Sequence, residues 1–488
     1  MALDLARNGV RLIIRIGRRK LLLGAAAGLA ACTRAQGTLR APPSETRSGP
    51  MPTLSKAPRR ALLTKTMGGG IALRSNIAGI SGGGLPLTFL YVVPIEAPCY
   101  AVRLGFGNCF NSPMAIQSAS VWPSDSYSRC LDMQAVNGAE NTTGLGPTGG
   151  APASRITFDN AGRDIPALTE AGSQRYFDMP AIGTNRRNAP QGFTIQWSDF
   201  SPCTSVPTVA DGLRHLLFIY VTVASGAISS DICRLRVANL DPIALRQRFT
   251  YRAVAWAGGI DWSDNPQAVG WKDAGNSFGP LFCLQYLTAN PGIQVVLSGD
   301  SLATSPTNDQ YSTPLHRAAW DMSSAALPIE VANLAWGGTG WSVYGTLLRD
   351  NIAALNPSIV AFQPLSRNDG PGSAKLHLLL ARSLLMAEQI KGLCGATALY
   401  NSAGCEPSWN GNDNATAAFA DLRLRLHALS NVSGAPLIDG PAVLGDPVAP
   451  WNYLPGLSDD NTHPNFAGVE KVVPLAHAAL SKLINGAS

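Results

Sequence analysis

Residues 293–301 read IQVVLSGDS, an apolar run that ends in a tight, glycine-assisted turn carrying Ser301. A short apolar run bounded by turn residues predicts a buried strand. Four further runs of this kind follow downstream: IEVANLA at 329–335, SIVAFQP at 358–364, ATALY at 396–400 and PLID at 436–439. The five runs set the pattern of the C-terminal part of the chain.

Helix-length segments alternate with these strands. They lie near residues 312–326, 342–355, 374–392, 414–430 and 465–484. Apolar strands alternating with helices form a parallel sheet covered by helices on both faces. The sequence therefore predicts an α/β domain over residues 289–488, a three-layer α/β/α sandwich, whose ligands bind beyond the carboxyl ends of the strands.

Ser301 follows the first strand, where its hydroxyl needs a base to become a nucleophile. Asp460-Asn461-Thr462-His463 supplies one near the end of the chain. His463 can accept the serine proton, and a carboxylate can hold the imidazole in the correct tautomer and stabilise its cation. Asp460 and the neighbouring Asp459 are both candidates for that carboxylate.

Two further strand ends carry groups that could bind an oxyanion. The second strand runs into Asn333-Leu-Ala-Trp-Gly-Gly338, and the third is followed by Asn368. Backbone N–H groups at a glycine turn and a side-chain amide both stabilise the negative charge that develops in acyl transfer. Together with the N–H of Ser301, these groups predict a three-donor oxyanion hole.

In chain order, GDS, the glycine turn, the Asn-Asp turn and D-x-x-H-P-N resemble the four sequence blocks of the SGNH (GDSL-like) hydrolases, which have a flavodoxin-like sheet. The resemblance covers roughly residues 290–485. It implies a catalytic triad of Ser301, Asp460 and His463, and an oxyanion hole made by Ser301, Gly338 and Asn368. Gly338 is favoured over Gly337 because it lies five residues after Asn333, and Asp460 over Asp459 because it fits D-x-x-H.

The sequence departs from the family pattern at two of the blocks. The nucleophile block reads SGDSLA rather than a full GDSL followed by the usual continuation. Ser366 stands where the third block commonly has glycine.

The upstream region differs in pattern. Residues 70–288 contain short apolar runs broken by Gly, Pro, Asn and Asp clusters, which predict a β-rich accessory domain. Residues 33–69 lack periodicity and are rich in Pro, Arg, Ser and Thr, so a flexible linker is expected there.

Residues 1–32 are expected to be a signal peptide, with a basic stretch, an eleven-residue apolar run from Leu21 to Ala31, and then Cys32. RRKLLLG resembles a twin-arginine signal, and LAAC resembles a lipobox with Cys32 as the lipidated residue. An ordinary signal peptide cut nearby is the alternative. The leader has six basic residues and one acid, hence +5 of the formal +6, so the charge of the remainder predicts no nucleic-acid partner.

Nine cysteines are present. If Cys32 carries a lipid, eight remain and up to four disulfides become available in an oxidising compartment. Cys394 and Cys405 bracket a short stretch that a disulfide could staple, with free buried thiols as the alternative.

These features predict an exported serine esterase, periplasmic, lipid-anchored to the cell envelope through Cys32, or secreted. It would act through an acyl-enzyme without a metal or organic cofactor. An O-acylated carbohydrate is the favoured substrate, followed by small esters. The alternatives are an O-acetyltransferase acting on a cell-envelope polysaccharide and a non-catalytic surface binding lipoprotein. Trp336, Trp341 and Trp451 are candidates for a sugar platform, or for core positions.

Overall fold

The computed structural model describes fifteen stretches of the chain. These are residues 56–66, 71–75, 87–106, 114–124, 154–158, 164–165, 195–203, 215–226, 231–235, 255–258, 272–273, 281–304, 313–369, 373–405 and 415–486. The expected signal peptide, Cys32 and most of the expected linker lie outside them.

Upstream of residue 281, every described regular element is a strand. The strands are β1 (Arg60–Thr66), β2 (Ile71–Ser75), β3 (Leu87–Ile95), β4 (Cys99–Phe106), β5 (Met114–Ser124), β6 (Ser154–Arg155), β7 (Asp164–Ile165), β8 (Gln196–Trp197), β9 (Ser201–Pro202), β10 (His215–Gly226), β11 (Asp231–Leu235), β12 (Ala255–Gly258) and β13 (Lys272–Asp273). Strands β13-β12-β3-β10-β5-β6 form one sheet in that order, and β2 pairs with β11 in a smaller one.

From residue 281 onward, strands and helices alternate. The elements are β14 (Leu281–Ser298), α1 (Pro314–Met322), β15 (Ile329–Asn333), β16 (Trp336–Gly337), α2 (Trp341–Leu355), β17 (Ile359–Phe362), α3 (Ser373–Cys394), β18 (Thr397–Ser402), α4 (Ala415–Ser433), β19 (Leu437–Asp439), α5 (Pro441–Leu444) and α6 (Phe466–Asn485). Among the described helices, none is long and apolar enough to span a membrane.

The central sheet of this part is parallel. Strand β14 pairs with β15 on one side and β17 on the other, β17 pairs with β18, and β18 with β19. By chain order the five strands run 2-1-3-4-5, so the direction of winding reverses between β14 and β17. Loops diverge at such a switch point and leave a crevice at the carboxyl edge. The predicted α/β fold with a parallel sheet is confirmed.

Alternating side chains divide the core between the two faces of this sheet. Val295 and Leu297 pack in a cluster with residues of α1 and α6, including Leu315 and Val472. Val296 lies in the other cluster, together with residues of α2, α3 and α4. Helices therefore cover both faces, which makes the three layers.

The first half of β14 belongs to a different pairing. Leu281–Thr288 pair antiparallel with β4, and Cys283–Gly292 pair antiparallel with β1. Among the described residues, nine strands are thereby joined in one sheet. The domain boundary expected at 288/289 falls inside this continuous strand, because a strand that changes partners half-way shows no break in its own sequence.

The prediction of a flexible linker over residues 33–69 is wrong for its last part, because Arg60–Thr66 form strand β1. Lys65 of this strand is buried, and its Nζ lies 2.9 Å from Glu330 Oε1 in β15. Tyr286 Oη donates to the other oxygen of Glu330 at 2.8 Å. A buried ion pair persists only when its remaining hydrogen-bonding capacity is satisfied. The partners lie more than 200 residues away along the chain, so no local pattern could reveal the strand.

No disulfide joins any two of the five described cysteines, which are Cys99, Cys203, Cys283, Cys394 and Cys405. Cys394 and Cys405, the candidates for a stapling disulfide, are therefore not bonded to each other. The Sγ of Cys394 instead donates to the carbonyl of Ile390 in its own helix at 3.1 Å.

Candidate active site

Ser301 lies on a tight turn directly after β14. Asp300 O accepts hydrogen bonds from the N–H groups of Ala303 and Thr304, at 3.1 and 3.0 Å. Thr304 Oγ1 donates to Ser301 O at 2.8 Å and closes the turn further. A Cβ at Gly299 would collide with Ala303 and Gln363, so this position requires glycine. The turn presents Ser301 at the carboxyl edge of the sheet.

His463 reaches Ser301 from the loop that precedes α6. Its Nε2 lies 2.9 Å from Ser301 Oγ, and its Nδ1 lies 2.7 Å from Asp460 Oδ2. Asn465, two residues later, caps α6 by accepting from Gly468 N–H at 3.1 Å. The start of α6 therefore fixes the loop that carries the imidazole. Serine, imidazole and carboxylate form one continuous hydrogen-bonded chain.

Asp460 is held by its own loop. Its Oδ1 accepts from the N–H groups of Thr462 and His463 at 2.8 and 2.7 Å. Partial burial acts to raise the pKa of Asp460, but hydrogen bonds from the side chain and backbone of His463 and from Thr462 outweigh it and lower the pKa to about 2. The carboxylate is therefore ionised at neutral pH. Asp459, the rival candidate, instead accepts from Asn465 Nδ2 at 2.8 Å.

The two other strand-end loops close the site beside Ser301. Trp336 N–H donates to Gly299 O at 2.8 Å, which brings the glycine loop against the nucleophile turn. Gly338 has φ of 76°, a conformation that favours glycine. Asn368 Nδ2 donates to Thr339 O at 3.1 Å and lies 3.3 Å from Asp300 Oδ2. An oxyanion beside Ser301 would compete with the longer of these two contacts.

No protein-family model matches this sequence, and no curated protein does either. Several solved structures are similar to part of this chain. TesA is 16% identical, the match covers 39% of this chain and 98% of TesA, and the TM-score is 0.32. A GDSL-like lipase from Bacteroides thetaiotaomicron is 15% identical over 38% of this chain and 87% of its own, with a TM-score of 0.32. Axe2, an acetylxylan esterase from Geobacillus stearothermophilus, is 15% identical over 39% and 94%, with a TM-score of 0.30.

The names of several neighbours describe hydrolases. Among them are GDSL-like lipases, acylhydrolases and acetylxylan esterases.

Several buried polar residues around the candidate site have roles that the sequence alone did not reveal. In the sequence, Asn333 only marks the spacing to Gly338. In the structure, its Nδ2 donates to Ala303 O at 2.9 Å and its Oδ1 accepts from Ala335 N–H at 2.8 Å. It braces the nucleophile turn. Asp300 and Ser366 are buried next to Asn368. The sequence feature that could have pointed to these roles is the polar residue type at each strand end, because a polar group buried there needs a hydrogen-bond partner.

The prediction that Trp336, Trp341 and Trp451 form a sugar-binding platform is wrong for the first two. Trp336 and Trp341 are buried, with exposed fractions of 1% and 6%. Trp341 instead packs edge-on against Tyr344, with ring centroids 5.5 Å apart. Trp451 is partly exposed. Core packing is the commoner fate of tryptophan, and sequence position alone does not distinguish it from a surface role.

Asp369, which follows Asn368 in the sequence, lies beside the first residue of α2 in space. Its carboxylate oxygens accept from Trp341 N–H at 2.9 and 3.2 Å. Burial raises its pKa to about 7, with a contribution from the nearby Asp300, while the Trp341 N–H and Arg382 oppose the shift. Among the described residues, no group of three His, Cys, Asp or Glu side chains is arranged to hold a metal ion.

This raised pKa predicts a pH-dependent stability. Between about pH 4 and the folded pKa of about 7, Asp369 is protonated to a greater extent in the folded protein than in the unfolded chain. The stabilisation that this protonation gives the folded protein is therefore lost as the pH rises. We expect Asp369→Asn to become more stable relative to wild type, by roughly 1–4 kcal/mol, between about pH 4 and pH 8. Urea unfolding across this range measures it. A stability difference that stays constant with pH would contradict the assignment.

Proposed function

We propose that this protein is a serine ester hydrolase of the SGNH type. The observation that carries the proposal is the hydrogen-bonded chain from Ser301 Oγ through His463 to Asp460, with distances of 2.9 and 2.7 Å. A nucleophile, a base and an orienting carboxylate within hydrogen-bond reach are what acyl transfer requires. Their position at the switch point of the parallel sheet is where ligands bind in such folds.

In the first half of the proposed reaction, Ser301 Oγ attacks the ester carbonyl carbon while His463 Nε2 takes its proton. Asp460 stabilises the resulting imidazolium and keeps the proton on Nδ1 in the neutral state. The N–H groups of Ser301 and Gly338 and the amide of Asn368 bind the oxyanion. When the intermediate collapses, His463 returns the proton to the departing alcohol and an acyl-Ser301 ester remains.

In the second half, water attacks the acyl-enzyme with His463 as base. The carboxylic acid leaves and Ser301 is regenerated. An O-acetyltransferase would share the first half and replace the water by a sugar hydroxyl. The two functions therefore differ only in which acceptor reaches the acyl group.

We favour an O-acylated carbohydrate, such as an acetylated polysaccharide, as substrate. The exposed fraction of the His463 side chain is 26% and that of Asp460 is 54%, so the triad lies near the surface. An accessible site suits the bulky alcohol part of a polymer better than a deep apolar tunnel would. The expected export and the β-rich companion segment are consistent with an extracellular polymer.

The experiment compares hydrolysis of p-nitrophenyl acetate, butyrate and octanoate with acetate release from acetylated xylan. We expect the fastest turnover on the acetyl ester and acetate release from the polymer, with deacetylated xylan as the blank. Acyl transfer to added xylo-oligosaccharides in place of net acetate release would favour the transferase. A folded protein without turnover on any ester would favour the binding lipoprotein.

Attachment to a membrane through a lipid on Cys32 is part of this proposal. It rests on the lipobox-like LAAC sequence alone. Expression of wild type and Cys32→Ser, followed by fractionation, tests it. Wild type in the membrane fraction and the variant in the soluble fraction is the expected result, and identical distribution would contradict it.

A further inference from the structure

One buried hydroxyl connects the three loops that surround Ser301. Ser366 follows β17 and is fully buried. Its Oγ donates to Asp300 Oδ2 at 2.5 Å and accepts from Asn368 N–H at 3.1 Å. The same oxygen lies 3.3 Å from Thr339 O.

Each of these partners is a residue of the proposed oxyanion hole or its direct neighbour. Asp300 immediately precedes Ser301, and Thr339 immediately follows Gly338. Asn368 is itself a proposed donor, and its Nδ2 contacts the same Asp300 oxygen and the same Thr339 carbonyl as Ser366 does. The three donors come from three different strand ends, so their relative positions depend on contacts between loops.

We propose that Ser366 is a positioning residue for the oxyanion hole, which holds Asn368 and the loops of Ser301 and Gly338 in register. The proposal rests on the proposed esterase function. Ser366 acts through Asn368 and Asp300 and does not contact the substrate. A donor displaced by a fraction of an ångström loses much of its value in the transition state, because preorganised donors act at a fixed distance from the developing charge.

The charge on Asp300 gives this role a pH signature. Burial raises the pKa of Asp300, while hydrogen bonds from Ser366 and from Leu302 N–H and the charge of His463 oppose the shift. The other charged groups nearby are Asp369 and, facing Asp369, Arg382. Loss of the Ser366 hydroxyl raises the pKa of Asp300 further, so more of it becomes neutral as the pH falls. A neutral Asp300 is a weaker acceptor for the Leu302 N–H, which donates to it at 2.8 Å and holds the turn of Ser301.

The test compares wild type with Ser366→Ala on p-nitrophenyl acetate. We expect kcat to fall about 10- to 100-fold while KM changes less than about 3-fold, since the hydroxyl supports interactions made in the transition state. The deficit in kcat relative to wild type should widen as the pH is lowered, because the pKa of Asp300 is higher in the variant than in wild type.

Ser383→Ala is the matched control. Ser383 is also fully buried, and its Oγ donates to Pro364 O and Leu379 O at 3.0 and 2.9 Å. Its bond to Pro364 reaches the same loop two residues before Ser366. We expect its kcat to stay within about 3-fold of wild type, because neither of its hydrogen bonds reaches Asp300, Thr339 or Asn368.

Two further measurements separate positioning from folding. Ser366→Ala should bind a tetrahedral boronate inhibitor more weakly, by about the factor lost in kcat, while binding the product acetate as wild type does. Ser366→Thr keeps the hydroxyl and should recover most of the activity, and Ser366→Gly provides a second hydroxyl-free variant if the alanine variant folds poorly.

Unchanged kcat in folded Ser366→Ala, or a loss equal to that of Ser383→Ala, would overturn the positioning role while leaving the proposed function intact. A wild type without esterase turnover would remove both. Weakened boronate binding together with recovery by threonine supports the role.

Discussion

Ser301→Ala is expected to lower kcat for ester hydrolysis by roughly 10⁵- to 10⁶-fold, with folding unaffected. Its Oγ is the atom that lies 2.9 Å from His463 Nε2 and would form the acyl bond. Without it, the oxyanion donors can act only on direct attack by water, which retains a small residual rate. Initial rates on p-nitrophenyl acetate measure the loss.

Ser298→Ala is the matched control for this variant. Ser298 lies three residues earlier at the end of β14, is fully buried, and its Oγ donates to Tyr344 O at 3.2 Å. Removing it deletes a buried serine hydroxyl just before the same turn without touching His463. We expect kcat within about 3-fold of wild type. Equal activity of Ser301→Ala and wild type would exclude Ser301 as nucleophile.

Asp460→Asn is expected to lower kcat by roughly 10³- to 10⁴-fold. The carboxylate accepts a hydrogen bond from His463 Nδ1–H at 2.7 Å, which leaves Nε2 free to accept from Ser301. An amide that presents its NH₂ to Nδ1 favours the opposite tautomer, whose Nε2 carries the proton and cannot act as base. The ratio of kcat values on p-nitrophenyl acetate measures the loss.

Asp459→Asn is the control, because Asp459 neighbours the same loop but contacts Asn465 at 2.8 Å instead of the imidazole. We expect its kcat to stay within about 3-fold of wild type. A larger loss for Asp459→Asn than for Asp460→Asn would reverse the assignment of the orienting carboxylate.

Local patterns were sufficient to predict the parallel half of the fold. Ile329–Asn333 and Ile359–Phe362 are short, apolar and flanked by helices, so their type and order could be predicted from periodicity alone. The candidate triad followed from chemistry at strand ends. The structure brings Ser301, His463 and Asp460 into hydrogen-bonding contact, although the serine and the histidine are 162 residues apart.

The remaining features depend on contacts between distant segments. Strand β1 is stabilised by β14 and by Glu330, neither of which is visible from residues 60–66. The single strand Leu281–Ser298 serves two sheet regions, so its sequence contains no boundary. The contacts of Ser366 with Asp300 and Asn368 exist only once three loops meet. Such buried polar networks are set by tertiary structure and not by local propensity.

Covalent labelling with a fluorophosphonate, which reacts with activated serine nucleophiles, followed by peptide mass spectrometry, tests directly whether Ser301 is the nucleophile. We expect one stoichiometric adduct on Ser301, absent from Ser301→Ala and formed much more slowly by Asp460→Asn, because the serine is activated through the imidazole. A folded wild-type protein that stays unlabelled, or that carries the adduct on another serine, would contradict the account.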